Sequence, residues 1–214
     1  MEAMREAAQH LVGDHDFRNL CKMDIKNGVT NFRRIIDRVV IRRLDDDEHG
    51  YGMCEITVVG TAFLWHQIRC IVAVLFMVGQ GHEQASIVKD LLDIDTNPRK
   101  PQYTMAADLP LTLFSCEFSG LEWQYDAETL QEVIVKLQTL WTESAIKTTL
   151  VKQLIDQISD NTVELHPRRQ LDIVSGRPTK NHKRLLERNK CETLEDRVEQ
   201  ALKKNKLMHV PTQQ

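Results

Sequence analysis

The chain has 214 residues, of which 42% are hydrophobic and 28% charged, with a formal net charge of −3. That apolar share supports a sizeable core and excludes wholesale disorder, yet no uninterrupted apolar run approaches the ~20 residues a membrane-spanning helix requires. No basic-then-apolar leader occupies residues 1–18, and the five cysteines are widely spaced with no Cys-x-x-Cys pair. A zinc site is therefore not expected, and reduced thiols place the chain in the nucleus and/or cytoplasm.

Taken in chain order, Glu2 to Val12 has helical apolar spacing and is stopped by Gly13. Asp14 to Lys26 reads as an irregular loop around a buried Phe17. Phe32 to Leu44 alternates as a strand with Ile36 and Val40 on one face, and Met53 to Gly60 is its antiparallel partner across the polar turn Asp45–Gly50. Phe63 to Val78 is the most apolar segment and reads as a buried helix ended by Gly79 and Gly81. Gln84 to Leu92 repeats at helical spacing, and Leu109 to Phe118 alternates as a buried strand. Ala127 to Ile158 forms a long amphipathic helix, a Pro-rich polar linker follows Ser159, and a last helix runs from about Leu194 to Lys204. The expectation is an α+β fold, an antiparallel or mixed sheet packed with helices, plus a helical C-terminal extension. Residues 1–125 form the α+β part, 126–158 the long helix, and 159–214 a basic, partly flexible tail.

Charge is distributed unevenly. Arg18, Lys22, Lys26, Arg33, Arg34, Arg38, Arg42 and Arg43 face only Asp24 and Asp37 within residues 18–43, whereas residues 83–132 are mainly acidic. Basic segments flanking an acidic centre suit a polyanionic ligand, with ordinary solvated charge as the plain alternative. Gly79-Gln80-Gly81 ends a helix rather than opening one, so it is no phosphate cradle. His66 and Arg69 sit three apart at the start of the most apolar helix and share a face. A guanidinium in such surroundings needs an anion, either a core carboxylate in a structural pair or a functional partner.

The stretch Thr61-Ala62-Phe63-Leu64-Trp65-His66-Gln67-Ile68-Arg69-Cys70-Ile71-Val72 resembles the A-F-x-x-H-x-[VI]-R helix of TruA-family tRNA pseudouridine synthases. Its surroundings agree in order. Ala7 to Phe17 resembles the family's helix and G-x-x-D-F loop, and Lys100-Pro101-Gln102-Tyr103 with Asp108 to Leu113 resembles its final strand. Phe17 to Asp24 and Lys183 to Arg197 are similar to the eukaryotic branch that modifies tRNA positions 38 and 39, in the anticodon stem-loop. The resemblance covers roughly residues 4–125 and 183–211. One element is missing: no Gly-Arg-Thr-Asp occurs in the chain, and that motif carries the family's catalytic aspartate.

The resemblance implies the C-terminal portion of an isomerase that converts uridine to pseudouridine without metal or organic cofactor. Arg69 corresponds to the arginine that pairs with the aspartate, and Leu111 to the apolar residue that packs on the target base. Lys22, Arg33, Arg34 and His66 become candidate RNA contacts, with Arg33 and Arg34 expected to reach outward ahead of their strand. The implied partner is tRNA, and relatives act as homodimers, with no membrane association. The alternative is a non-catalytic RNA-binding or dimerisation module on the same scaffold.

Overall fold

The computed structural model describes residues 1–44, 52–162 and 182–208, so the Asp45–Gly50 turn and most of the linker after Ser159 lie outside the described residues. It divides into two compact units: residues 1–111 with 167–214, and residues 112–166.

The first unit is a three-stranded antiparallel sheet, among the described residues, covered by helices. Helix α1 (Glu2–Gln9) buries Ala7 and Ala8, small side chains that allow close packing on α2 (Gln67–Gly79). Strand β1 (Gly13–Asp16) pairs antiparallel with the start of β2 (Arg33–Arg43), and β2 pairs with β3 (Cys54–Gly60). The α+β expectation agrees with this arrangement of helices and sheet. The loop expected from Asp14 onward begins instead as a strand, because Gly13 to Asp16 supply an edge to Arg33–Ile36.

The facing of β2 also differs from its sequence pattern. Ile36, Val39 and Ile41 are buried while Val40 is exposed. The cause is a register shift between Ile36 and Arg38, where the bulge at Asp37 inserts one residue. A strand's side chains alternate with a period of two, so one extra residue exchanges the faces of everything beyond it. Val39 and Ile41 consequently pair with Val58 and Ile56, whereas Val40 and Arg42 look outward.

Gly60 closes this irregular region. A Cβ there would lie 2.5 Å from the Ile35 carbonyl oxygen, a backbone atom that cannot rotate away. Gly60→Ala is expected to destabilise the chain by about 2 kcal/mol, the usual scale of overpacking. Gly79→Ala is the control: there the new methyl meets only the Met4 side chain, which can change rotamer. Equal urea midpoints for the two variants would contradict this account.

Helix α2 presents Cys70, Ile71, Val74, Leu75 and Val78 to the core, the i, i+4 spacing of a buried helical stripe. It begins at Gln67, not Phe63. Helix α3 (Ile87–Leu92) adds Ile87, Val88 and Leu91. Phe17, Leu20, Phe32 and Leu11 fill the centre, and Asn19 ties two carbonyls beneath them, donating to Leu91 O (3.0 Å) and Asn97 O (2.7 Å).

The C-terminal segment packs back onto this unit. Leu185 is fully buried, and its N–H donates to the buried Glu83 carboxylate, which also meets His182 at 3.2 Å. Residues 189–191 run antiparallel to 100–102: Gln102 N donates to Asn189 O and Cys191 N to Lys100 O. Helix α5 (Leu194–Met208) starts with Thr193 and Asp196 exchanging side-chain-to-backbone hydrogen bonds, a reciprocal N-terminal cap.

The second unit holds helix α4 (Ala127–Thr162), opened by Asp126, whose carboxylate accepts the Thr129 N–H at 2.8 Å. The strand expected over Leu109–Phe118 does not form. Among the described residues no strand pairs with it, and Leu113 and Phe114 are exposed. Alternating hydrophobicity makes a strand only where a neighbour takes up its N–H and C=O groups.

Candidate functional site

The segment leading into α2 is unusually constrained. The Gln67 side chain accepts the Leu64 N–H (2.7 Å) while the Gln67 N–H donates to Leu64 O (3.0 Å), closing a tight buried turn. His66 caps the helix with φ +58°, a left-handed conformation that costs a non-glycine residue about 1 kcal/mol or more. It therefore precedes α2 rather than sharing a helical face with Arg69. Its imidazole stacks on Trp65, with centroids 4.7 Å apart and planes 27° from parallel.

Lys22 joins this pair from the loop after β1. Its N–H donates to Trp65 O (2.9 Å), and its ammonium lies 4.3 Å from the centroid of the Trp65 ring. Lys100 approaches from the other loop. It donates to Cys21 O (2.7 Å), lies 3.3 Å from the Cys70 sulfur and 4.6 Å from the Tyr103 ring centroid. Tyr103 in turn donates to Asn19 O at 2.7 Å. Pairing of residues 100–102 with 189–191 holds the backbone from which Lys100 extends.

Arg69 lies in the first turn of α2, half-buried. Its Nε donates to Ala106 O (2.8 Å), and its own carbonyl accepts the Ala106 N–H (3.1 Å). This reciprocal pair fixes the 103–108 segment against the helix. Leu111 follows on a turn closed by its N–H to Asp108 O (2.9 Å), and it is 47% exposed.

Arg33 and Arg34 do not share a direction. Adjacent residues of a strand face opposite sides. Arg33 is exposed and pairs with Asp14 at 3.2 Å. Arg34 is half-buried on the helix-covered side, with Nε buried and without an acceptor. Burial pushes the Cys21 thiol up to about 12, opposed first by the Lys100 ammonium, which donates to Cys21 O. The expectation that both arginines reach outward holds for Arg33 alone.

The electrostatics of the cluster are lopsided. Among the described residues, Lys22, Arg34, Arg69 and Lys100 form no ion pair with any carboxylate. Arg18 and Arg42, by contrast, are taken up by Asp16 and Glu55. The first turn of α2 contains no acidic residue, although helix N-termini favour negative charge and disfavour a cation such as Arg69. Burial first, then the Arg69, Lys22 and Lys100 charges, lower the pKa of the His66 imidazole, and Asp108 opposes the shift. His66 is thus neutral near pH 7.

Sequence reasoning singled out Arg69, His66 and Lys22 separately; the structure sets Lys22 against Trp65, which stacks on His66, and places Arg69 in the first turn of α2. That reasoning passed over Trp65 and Lys100. The available signals were an exposed-type aromatic beside a histidine, and a lysine before Pro101 in an otherwise polar loop. Among the described residues no group of three or more His, Cys, Asp or Glu side chains is placed to hold a metal ion. No helix of the described residues is long and apolar enough to cross a membrane.

The family profile described as tRNA pseudouridine synthase matches residues 7–119, and the chain belongs to that family, the TruA family. It is 36% identical to the tRNA pseudouridine(38/39) synthases of Bos taurus and Homo sapiens over 96% of its own length, which is 48% of theirs. It is 44% identical to the tRNA pseudouridine(38/39) synthase of Saccharomyces cerevisiae over 58% of its length and 27% of that protein. The chain spans about half the length of the curated relatives it matches most extensively.

Proposed function

We propose that the chain supplies the Arg69 and Leu111 side of the active-site cleft of a tRNA pseudouridine synthase, with part of its tRNA-binding surface, acting on uridines at positions 38/39 of the anticodon stem-loop. The observation that carries this reading is the set of three cations at the start of α2, Lys22, Arg69 and Lys100, that form no ion pair with a carboxylate of the described residues. A structural role for Arg69 would give it a core acid as partner. Its contact with the Ala106 carbonyl engages only Nε, which leaves the terminal nitrogens of the guanidinium for an incoming aspartate. Such a contact would keep the carboxylate ionised and aimed. Leu111, half-exposed on its turn, would provide a hydrocarbon wall against an extruded base. The alternative, a non-catalytic RNA-binding module, loses if the gene encodes a Gly-Arg-Thr-Asp segment in frame with this chain.

RNA binding by the purified chain is the direct test. Affinity for tRNA is expected to be weak and to fall steeply with salt, because phosphate contacts release counterions. Arg34→Glu should weaken binding several-fold for all tRNAs alike, since phosphate contacts carry no sequence information. Arg33→Glu should matter less, its charge being already balanced by Asp14. Filter binding that is indifferent to ionic strength, or equally sensitive to the two substitutions, contradicts this assignment of the surface.

Self-association belongs to the same reading. Helix α4 exposes Leu130, Val133, Leu137, Leu140, Trp141, Leu150 and Leu154, far more apolar surface than a solvated helix carries without a partner. A homodimer through α4 is the expected state at micromolar concentration, and Leu137→Glu with Leu140→Glu should return it to monomer. A monomer mass for the unsubstituted chain by light scattering refutes this.

A further inference from the structure

Trp65 carries chemistry that the isomerisation itself does not require. It is 48% exposed although it lies between the buried Leu64 and Gln67. The turn that presents it is held by both hydrogen bonds between Leu64 and Gln67 and by the left-handed His66. Backbone strain of this sort persists only where the surroundings over-determine it, and it concentrates at binding sites. The indole therefore projects from a rigid support rather than from a loop free to fold it inward.

Its immediate neighbours suit a nucleotide. The His66 ring stacks against the indole, with centroids 4.7 Å apart. Lys22, an exposed and flexible side chain, rests its ammonium 4.3 Å from the indole centroid, held there by the ring's negative face. An aromatic surface beside a mobile cation is the combination that accepts unpaired bases in single-stranded RNA: the base stacks, and the cation meets its phosphate. Arg69, the residue assigned to the incoming aspartate, lies four positions along the chain and donates toward Ala106 rather than toward Trp65.

We infer that Trp65 is a stacking platform for an unpaired nucleobase of the bound RNA, with Lys22 leaving the indole for that nucleotide's phosphate. The inference rests on the RNA-binding reading above and deepens it, adding discrimination of single-stranded loops from duplex. In free protein the ammonium occupies the ring; in the complex the base replaces it. Trp65 thus favours RNA whose loop bases are already unstacked, since a paired base would have to be extruded first.

The test uses the 214-residue chain with Trp123→Phe and Trp141→Phe, so that Trp65 is the one remaining tryptophan. Two labelled RNAs of equal length are titrated, a hairpin with a seven-nucleotide single-stranded loop and a fully paired duplex. Anisotropy of the RNA label reports binding, and tryptophan emission reports stacking. At equal saturation the hairpin should quench Trp65 several-fold more than the duplex. Trp65→Ala should lose roughly tenfold affinity for the hairpin and little for the duplex, and Trp65→Phe should recover most of it. Hairpin binding with unchanged emission, or an equal loss for both RNAs, overturns the platform while leaving the RNA-binding reading intact. Absence of binding to either RNA overturns both.

Discussion

Purified chain 1–214 is expected to form no pseudouridine on any tRNA, a loss of activity to the uncatalysed level. The family reaction requires a carboxylate that acts on the target nucleotide while uracil detaches and rejoins through carbon, and the chain contains no Gly-Arg-Thr-Asp segment. Nothing in the cationic cluster can replace it. Lys22, Arg69 and Lys100 are cations that stabilise negative charge but do not supply a carboxylate, and burial and those cations favour the neutral form of His66. Asp108, the acid that acts on His66, lies in a turn and belongs to no such motif. The measurement is release of tritium from uracil C5 in tRNA, with a synthase of known activity as control. Turnover by the isolated chain would show that another acid, Asp108 first among them, performs the chemistry.

The second large effect is expected in a protein that carries both this chain and a Gly-Arg-Thr-Asp segment. Arg69→Lys should lower kcat by roughly 10²-fold, the scale seen when one aimed donor is removed from a reacting site, and leave tRNA affinity nearly unchanged. The geometry explains why retained charge is insufficient. Arg69 uses Nε to hold Ala106 O at 2.8 Å, and its planar fork can still present terminal N–H groups to a carboxylate. A lysine has one nitrogen, so it can hold the 103–108 segment or meet the aspartate, not both. A fall in KM-independent turnover with intact binding fits a positioning role at the reacting centre. Unchanged turnover would make Arg69 a structural residue that anchors the loop. Both experiments bear on the same unneutralised charge, from opposite directions.

Much of the fold was legible because its signals are local. The apolar stripe from Cys70 to Val78, the alternation that pairs β2 with β3, and the long amphipathic run from Ala127 each carry their period within a dozen residues. The motif around His66 and Arg69 was legible for the same reason, as a fixed spacing in one segment. The bulge at Asp37 was not, since an inserted residue leaves composition unchanged and becomes visible only when Val39 and Ile41 face Val58 and Ile56. The direction of Arg34 was not legible either: both arginines were expected to reach outward, whereas neighbouring strand residues face opposite sides and Arg34 is half-buried.

The sequence by itself determined the family, the elements with strong periodicity, and the residue types that a polyanion site needs. Local spacing and side-chain chemistry are sufficient for those. Tertiary structure decided which of the basic residues are spent. Arg18, Arg33 and Arg42 lie within reach of Asp16, Asp14 and Glu55, while Lys22, Arg34, Arg69 and Lys100 meet carbonyls, sulfur and aromatic rings instead. It also decided that Leu109 to Phe118 forms no strand among the described residues, for want of a neighbour to bond. The physical reason is common to both outcomes: an ion pair and a β-ladder each need a partner brought from elsewhere in the chain, and neither spacing nor composition records who that partner is.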